Sequence, residues 1–123
     1  MFKFERLIAW QKSIDLFEKI AKIADTIPKS YQSSIGDQIR RSCLSISANI
    51  AEATGRETLK ERRYYFNVAR GSVYETVSLL HILKSSQYIN DDILSSLYDK
   101  CDEIAKMLYG LSNKYFLISD ISF

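Results

Sequence analysis

The sequence predicts an all-α fold, an antiparallel up-down-up-down four-helix bundle. Three observations carry this. One proline and four glycines in 123 residues leave the chain few places to turn. Apolar residues recur at three- and four-residue spacing over four long stretches, the period of one helix face. The connections between those stretches are short, about 3–8 residues, which favours antiparallel neighbours. A chain of this length forms one domain around one core, and no internal repeat or low-complexity segment divides it.

Helix one is expected from about Glu5 to Thr26, with Leu7, Trp10, Ile14, Phe17, Ala21 and Ala24 as its apolar stripe. Pro28 ends it, because proline disfavours helix in the residue before it. Helix two is expected from Ser34 to Thr54, with Ile35, Ile39, Cys43, Ile46 and Ile50 facing the core and Gly55 as a left-handed C-terminal cap. Helix three is expected from Thr58 to Ser86. Thr58 and Glu61 form a capping box at its start, in which the hydroxyl accepts from an early N–H and the glutamate reaches back. Its core face is Leu59, Phe66, Ala69, Val73, Val77, Leu80 and Leu83. Tyr64, Tyr65, Val68, Tyr74, Leu79 and Ile82 lie off that face, more apolar surface than one seam buries. Helix four is expected from Asp91 to Tyr115, capped by Asn90 or Asp91, with Ile93, Leu97, Cys101, Ile104, Leu108 and Leu111 as its stripe. Residues 116–123 show no periodicity and read as a frayed end.

The net charge of +2 does not by itself imply a nucleic-acid partner, but the charge is uneven. Arg56, Lys60, Arg62, Arg63 and Arg70 lie close together against only Glu57 and Glu61, interleaved with Tyr64, Tyr65 and Phe66. Basic groups meet phosphates, and aromatic faces stack on unpaired bases. A solvated helix face with core aromatics behind it has the same pattern, so both readings stand.

Helices two and three carry a second feature. A hairpin turning near Arg56 and Glu57 places Arg41 level with Ser72 and about one turn from Glu75. Arg40 or Arg41 then reaches Glu75. Ser42 and Ser45 face Gly71 and Ser72, so small residues let the axes come close. Asn49 falls near Tyr64 and Tyr65, and Glu52 near Arg56. On the structural reading, Arg41 with Glu75 and Glu52 with Arg56 or Arg63 fix helix register and subunit contacts; such pairs stabilise weakly but specify one arrangement. On the functional reading, this polar seam meets a ligand or nucleic acid.

Catalytic chemistry has no foothold in this pattern. His81 is the only histidine, read as partly buried, and the Glu-x-x-His pairs of a di-iron bundle are missing. A zinc site from Cys43, Cys101 and His81 needs three helices to converge without any spacing cue. The serines of Leu44–Ser47 have no adjacent base, and Arg70-Gly71-Ser72 lacks the pattern of a phosphate loop. The expectation is a non-enzyme with no metal and no cofactor. Cys43 and Cys101 read as buried free thiols, which points to the cytoplasm. No apolar run approaches the ~20 residues of a membrane span, and the N-terminus does not read as a signal peptide.

At these residues the chain resembles a known family. The pieces are FERLIAWQKS at Phe4–Ser13, IP at Ile27–Pro28, QIRRSCLSISANIAEATGR at Gln38–Arg56, YFNVARGSVYE at Tyr65–Glu75 and KMLYGL at Lys106–Leu111. They resemble the small bacterial four-helix bundle proteins encoded in intervening sequences of 23S rRNA genes, also labelled S23. Ser47 stands where that pattern has proline, and Ala53 where it has glycine. The resemblance implies a homo-oligomer, typically a ring of five, without enzymatic activity. It also extends to accessory variability proteins of diversity-generating retroelements, which implies a nucleic-acid or reverse-transcriptase partner. Arg40, Arg41, Asn49, Glu52, Arg56, Arg70, Gly71 and Glu75 are the positions matching the family pattern.

Overall fold

A computed structural model describes the backbone of residues 1–117 and the side chains through Asn113. Its four helices are α1 (Ile8–Ala24), α2 (Asp37–Gly55), α3 (Leu59–Ser85) and α4 (Asp91–Leu117). Each packs against its chain neighbour, and α4 closes back on α1, in up-down-up-down order. The extensive contacts are α2 with α3 and α3 with α4. Ion pairs join the remaining seams: Lys12 reaches Glu103 at 2.5 Å between α1 and α4, and Arg40 reaches Asp25 at 2.7 Å from α2 to the end of α1.

The core is apolar and continuous. Leu16, Ile20, Ile39, Ile46, Ile50, Phe66, Leu80, Leu83 and Leu108 are fully buried within it. The expected core faces of α2, α3 and α4 hold at nearly every position; Ile93, at the start of α4, is the exception and is exposed. The centre of the buried face of α1 lies one residue from the expected stripe, of which Ala24 is fully buried and Leu7, Trp10 and Phe17 pack half-buried against the core. Ala9, Ser13, Leu16, Ile20 and Ala24 are buried, while Trp10, Ile14, Phe17 and Ala21 are only half-buried. Helix α1 has two adjacent apolar stripes, and burial of Ser13 is tolerated because its hydroxyl donates to the Trp10 carbonyl at 2.6 Å.

Element ends differ from expectation in instructive ways. Residues Lys3–Arg6 form a separate 3₁₀ turn and Leu7 is extended, so α1 begins at Ile8 rather than Glu5. A π-helical turn at Gln32–Gly36 leads into α2. The Gln32 amide donates to the carbonyls of Ala24 and Ile27, both at 2.7 Å, and so satisfies the end of α1. Gly55 is not a left-handed cap, since no glycine has positive φ among the described residues. Arg56 leaves the helix extended instead, at φ −82° and ψ 148°. Thr58 caps α3 by accepting from the Glu61 N–H at 3.1 Å, but Glu61 takes the threonine hydroxyl at 2.9 Å rather than reaching a backbone N–H. Asn90 caps α4 by accepting from the Ile93 N–H at 2.8 Å.

The end of α3 holds a residue the sequence did not flag. Gln87 has φ 65°. Its N–H donates to Lys84 O at 3.0 Å, and the Tyr88 N–H donates to Leu83 O at 2.9 Å. This is a Schellman motif with glutamine in the position that usually takes glycine.

Candidate functional site

The α2–α3 seam is polar and close, as small residues on both helices imply. Ser72 donates to Ser45 at 2.8 Å, and Ser42 and Thr76 share a buried hydrogen bond at 3.0 Å. Ser45 meets Ser72 as expected, whereas Ser42 meets Thr76, so Arg41 lies about one turn from level with Ser72.

That shift reassigns the expected pairs. Glu75 accepts from the Gln38 amide at 2.5 Å, not from an arginine. Arg40 pairs instead with Asp25 at 2.7 Å and Asp37 at 3.5 Å. Arg41 is exposed, with no ion-pair partner among the described residues. Asn49 stays within its own helix, donating to the Ser45 carbonyl at 2.8 Å and hydroxyl at 2.9 Å. Gly71 is exposed and off the seam, with open space where a Cβ would stand. Glu52 does meet Arg56, at 3.1 Å.

The five cations of the basic stretch divide between two faces. Arg56 is the centre of the first. It pairs with Glu52, stands 3.6 Å from Glu61, donates to the Tyr65 hydroxyl at 3.0 Å and lies over the Tyr65 ring. The hydrogen bond it donates to Glu52, with the nearby carboxylates, holds its guanidinium even more firmly protonated than usual. Arg62 donates from Nε to the Arg56 carbonyl at 2.7 Å, which ties the start of α3 to the connection. These arginines brace the α2–α3 hairpin.

The second face lies along α3 and α4. Lys60, Arg63, Asn67, Arg70 and Tyr74 recur at helical spacing on it. The Ser112 hydroxyl of α4 lies 2.8 Å from Asn67 Oδ1 and anchors this side of the two helices. The Arg70 guanidinium carbon stands 5.1 Å from the Tyr109 ring centre and 5.6 Å from that of Tyr74, both within cation–π range. No carboxylate pairs with Arg70 among the described residues. Tyr74, Tyr98 and Tyr109 are 61%, 45% and 54% exposed, so all three side chains are open to solvent. His81, which was expected to be partly buried, is exposed, with its ring edge-on to Tyr98 at 6.3 Å. Tyr98, Asp102 and Tyr109 escaped the sequence reading. Their signal was available as a stripe of polar aromatic and acidic residues on the outer side of α4.

Cys43 and Cys101 are free and fully buried. Burial pushes both thiols up to about 12, and for Cys43 the proximity of Cys101 adds to the shift. Neither supplies a thiolate near neutral pH. No cluster of three or more histidine, cysteine or acidic residues suited to a metal occurs among the described residues, and no described helix is long and apolar enough to cross a membrane.

The profile of the 23S rRNA-intervening sequence proteins matches residues 5–110. The chain belongs to the 23S rRNA-intervening sequence protein family. A solved neighbour agrees with this. It is a protein with unknown function from the S23 ribosomal protein family of Bacteroides thetaiotaomicron VPI-5482, determined at 1.70 Å. It is 25% identical, with a TM-score of 0.79, and the match covers 85% of this chain and 98% of that one. No curated protein matches the chain. In this 23S rRNA-intervening sequence protein, the family match spans both the braced α2–α3 hairpin and the Arg70 face.

Proposed function

We propose that this protein is a non-enzymatic, nucleic-acid-associated scaffold that works in the cytoplasm as a homo-oligomer of five subunits. One observation carries the nucleic-acid reading. Arg70 lies over the exposed rings of Tyr74 and Tyr109 and is not neutralised by a carboxylate, in contrast to Arg56. A cation held on aromatic faces stays available to a phosphate, and the rings beside it offer stacking surfaces. Lys60 and Arg63 continue the positive charge along α3. The high thiol values of Cys43 and Cys101 support the non-enzymatic reading, because they remove the chain's strongest nucleophiles. The exposed apolar side chains of Ile8, Leu44 and Ile82, which the nucleic-acid reading does not use, support assembly.

The test is fluorescence anisotropy with labelled single-stranded RNA and duplex DNA at two salt concentrations, on protein whose mass is set by light scattering. About three phosphate contacts per strand predict a roughly twentyfold loss of affinity between about 50 and 200 mM salt. Removing charge at Arg70 or Lys60 flattens that dependence. No binding at low salt refutes the nucleic-acid reading.

The engagement of Arg56 favours a second reading, in which the bundle is purely an assembly module. Its pairs with Glu52 and Glu61 then serve register alone. Loss of oligomer mass in Arg56→Ala, without any nucleic-acid affinity in the parent protein, selects this reading.

A further inference from the structure

Between α3 and α4, next to the Arg70 ladder, lies a groove of about 210 Å³. Val73, Val77 and Ala105 form its apolar floor, with Cys101 beneath. Tyr74 and Tyr98 stand at its sides, and Asp102 is at its rim. The volume is below the ~300 Å³ at which pockets begin to take drug-sized ligands, so it suits one small ring system rather than a whole cofactor.

The rim chemistry narrows the occupant. Asp102 is half-exposed and accepts from Lys106 at 2.9 Å. An ionised carboxylate accepts hydrogen bonds and donates none. Guanine presents two adjacent N–H donors on its Watson–Crick edge. Adenine presents one donor beside an acceptor, cytosine one donor beside two acceptors, and uracil one donor between two acceptors. Two donors meet the two carboxylate oxygens without a repulsive contact. The surrounding charge fits a strand. Arg70 lies on the Tyr74 side, and Lys106 is 77% exposed one turn beyond Asp102. Lys106 is held by Asp102, so Arg70 is the cation beside the groove left for a phosphate. The groove is open on its outer side and admits a base already unstacked from its neighbours.

We infer that the α3–α4 groove seats an unpaired guanine of a single-stranded nucleic acid, stacked against Tyr74 and Tyr98 and hydrogen-bonded by Asp102, with Arg70 on a flanking phosphate. This deepens the nucleic-acid reading proposed above and rests on it. Phosphate contacts supply affinity without sequence information, and the groove supplies the preference.

The experiment compares labelled decamers in RNA and DNA, all-uridine (thymidine in DNA) or carrying one central guanine, adenine or cytosine, on the intact protein. The guanine decamer is expected to bind roughly tenfold more tightly than the other three. Asp102→Asn abolishes that preference and leaves the uridine decamer unchanged or slightly tighter. Tyr98→Leu weakens the guanine decamer roughly tenfold or more, the order of one lost stacking contact. Both side chains are exposed, so neither change disturbs the core; circular dichroism checks this. Equal, salt-sensitive binding of all four decamers leaves the nucleic-acid reading intact and overturns the groove assignment. Absence of binding to any decamer overturns both. Altered oligomer mass in Tyr98→Leu with no change in base preference also overturns the assignment and makes the groove a subunit contact.

Discussion

Gln87 is a residue whose backbone works against its side chain. At φ 65° it occupies the left-handed region that favours glycine, and both hydrogen bonds of the Schellman motif depend on that conformation. The Cβ raises the energy of this conformation by roughly 1–2 kcal/mol, of which glycine returns part through its greater unfolded freedom. Gln87→Gly is therefore expected to stabilise the protein by roughly 0.5–1 kcal/mol, read as a higher urea midpoint with unchanged slope. The two buried thiols make a pH prediction. Their folded values lie near 12, above the ordinary thiol value of about 9. The stabilisation from keeping them neutral is fully present below about pH 9 and is lost as pH rises through about 12. Each thiol contributes a slope of up to about 1.4 kcal/mol per pH unit across that window. Urea unfolding at stepwise alkaline pH should show a steeper decline for the parent than for a Cys43→Ala/Cys101→Ala double variant, and parallel curves would remove the thiols from the account.

At the scale of elements, the α2–α3 seam shows how position decides the effect of a small residue. Ser72 faces Ser45 at 2.8 Å, so a larger side chain there pushes two helices apart. Ser72→Leu is expected to cost about 1–3 kcal/mol through overpacking. Gly71 is the next residue, yet nothing lies within 4 Å of the Cβ it lacks and its φ is negative. Its cost as glycine in a helix interior is about 1 kcal/mol relative to alanine. Gly71→Ala should raise stability by roughly that amount. Thermal melts of the two neighbouring variants should thus move in opposite directions, and a destabilised Gly71→Ala would place Gly71 against another subunit. The seam's helical content and small residues were legible in the pattern Gln38–Glu75. Ser45 opposite Ser72 and Glu52 beside Arg56 were legible too, but the partners of Arg40, Asn49 and Glu75 were not, because they depend on how the two helices are offset.

At the scale of the whole molecule, the bundle buries one continuous core and leaves Tyr74, Tyr98 and Tyr109 exposed on a single α3–α4 face. If five copies associate, folding and assembly are linked by mass action. With an unfolding entropy of about 2.1 cal/mol/K per residue, a hundredfold rise in protein concentration should raise Tm by roughly 8 °C. A concentration-independent Tm would show that one bundle is stable alone. The basic stretch illustrates the same scale dependence. In one dimension Arg56 and Arg70 belong to one charged run; in the folded bundle Arg56 is locked in an ion-pair cluster and Arg70 stands over tyrosines from two helices.

Local patterning determined the class, the number of helices, most of their ends and the core faces of α2, α3 and α4. Helical period, the caps at Thr58 and Asn90, and the scarcity of breakers are properties of neighbouring residues, so the chain displays them directly. The face of α1 was decided only by packing, because Leu7, Trp10 and Phe17 compete with Ala9, Leu16 and Ile20 for the same interior. The partners of Arg40, Arg41 and Glu75 were decided by the axial offset between α2 and α3. One turn of slide, about 5.4 Å, changes which long side chains meet across the seam while leaving each helix's own pattern unchanged. The Arg70 face likewise needs Tyr109, thirty-nine residues away in sequence and 5.1 Å away across two packed helices. Such a contact exists only once the helices have docked, which is why the tertiary structure alone assembled it.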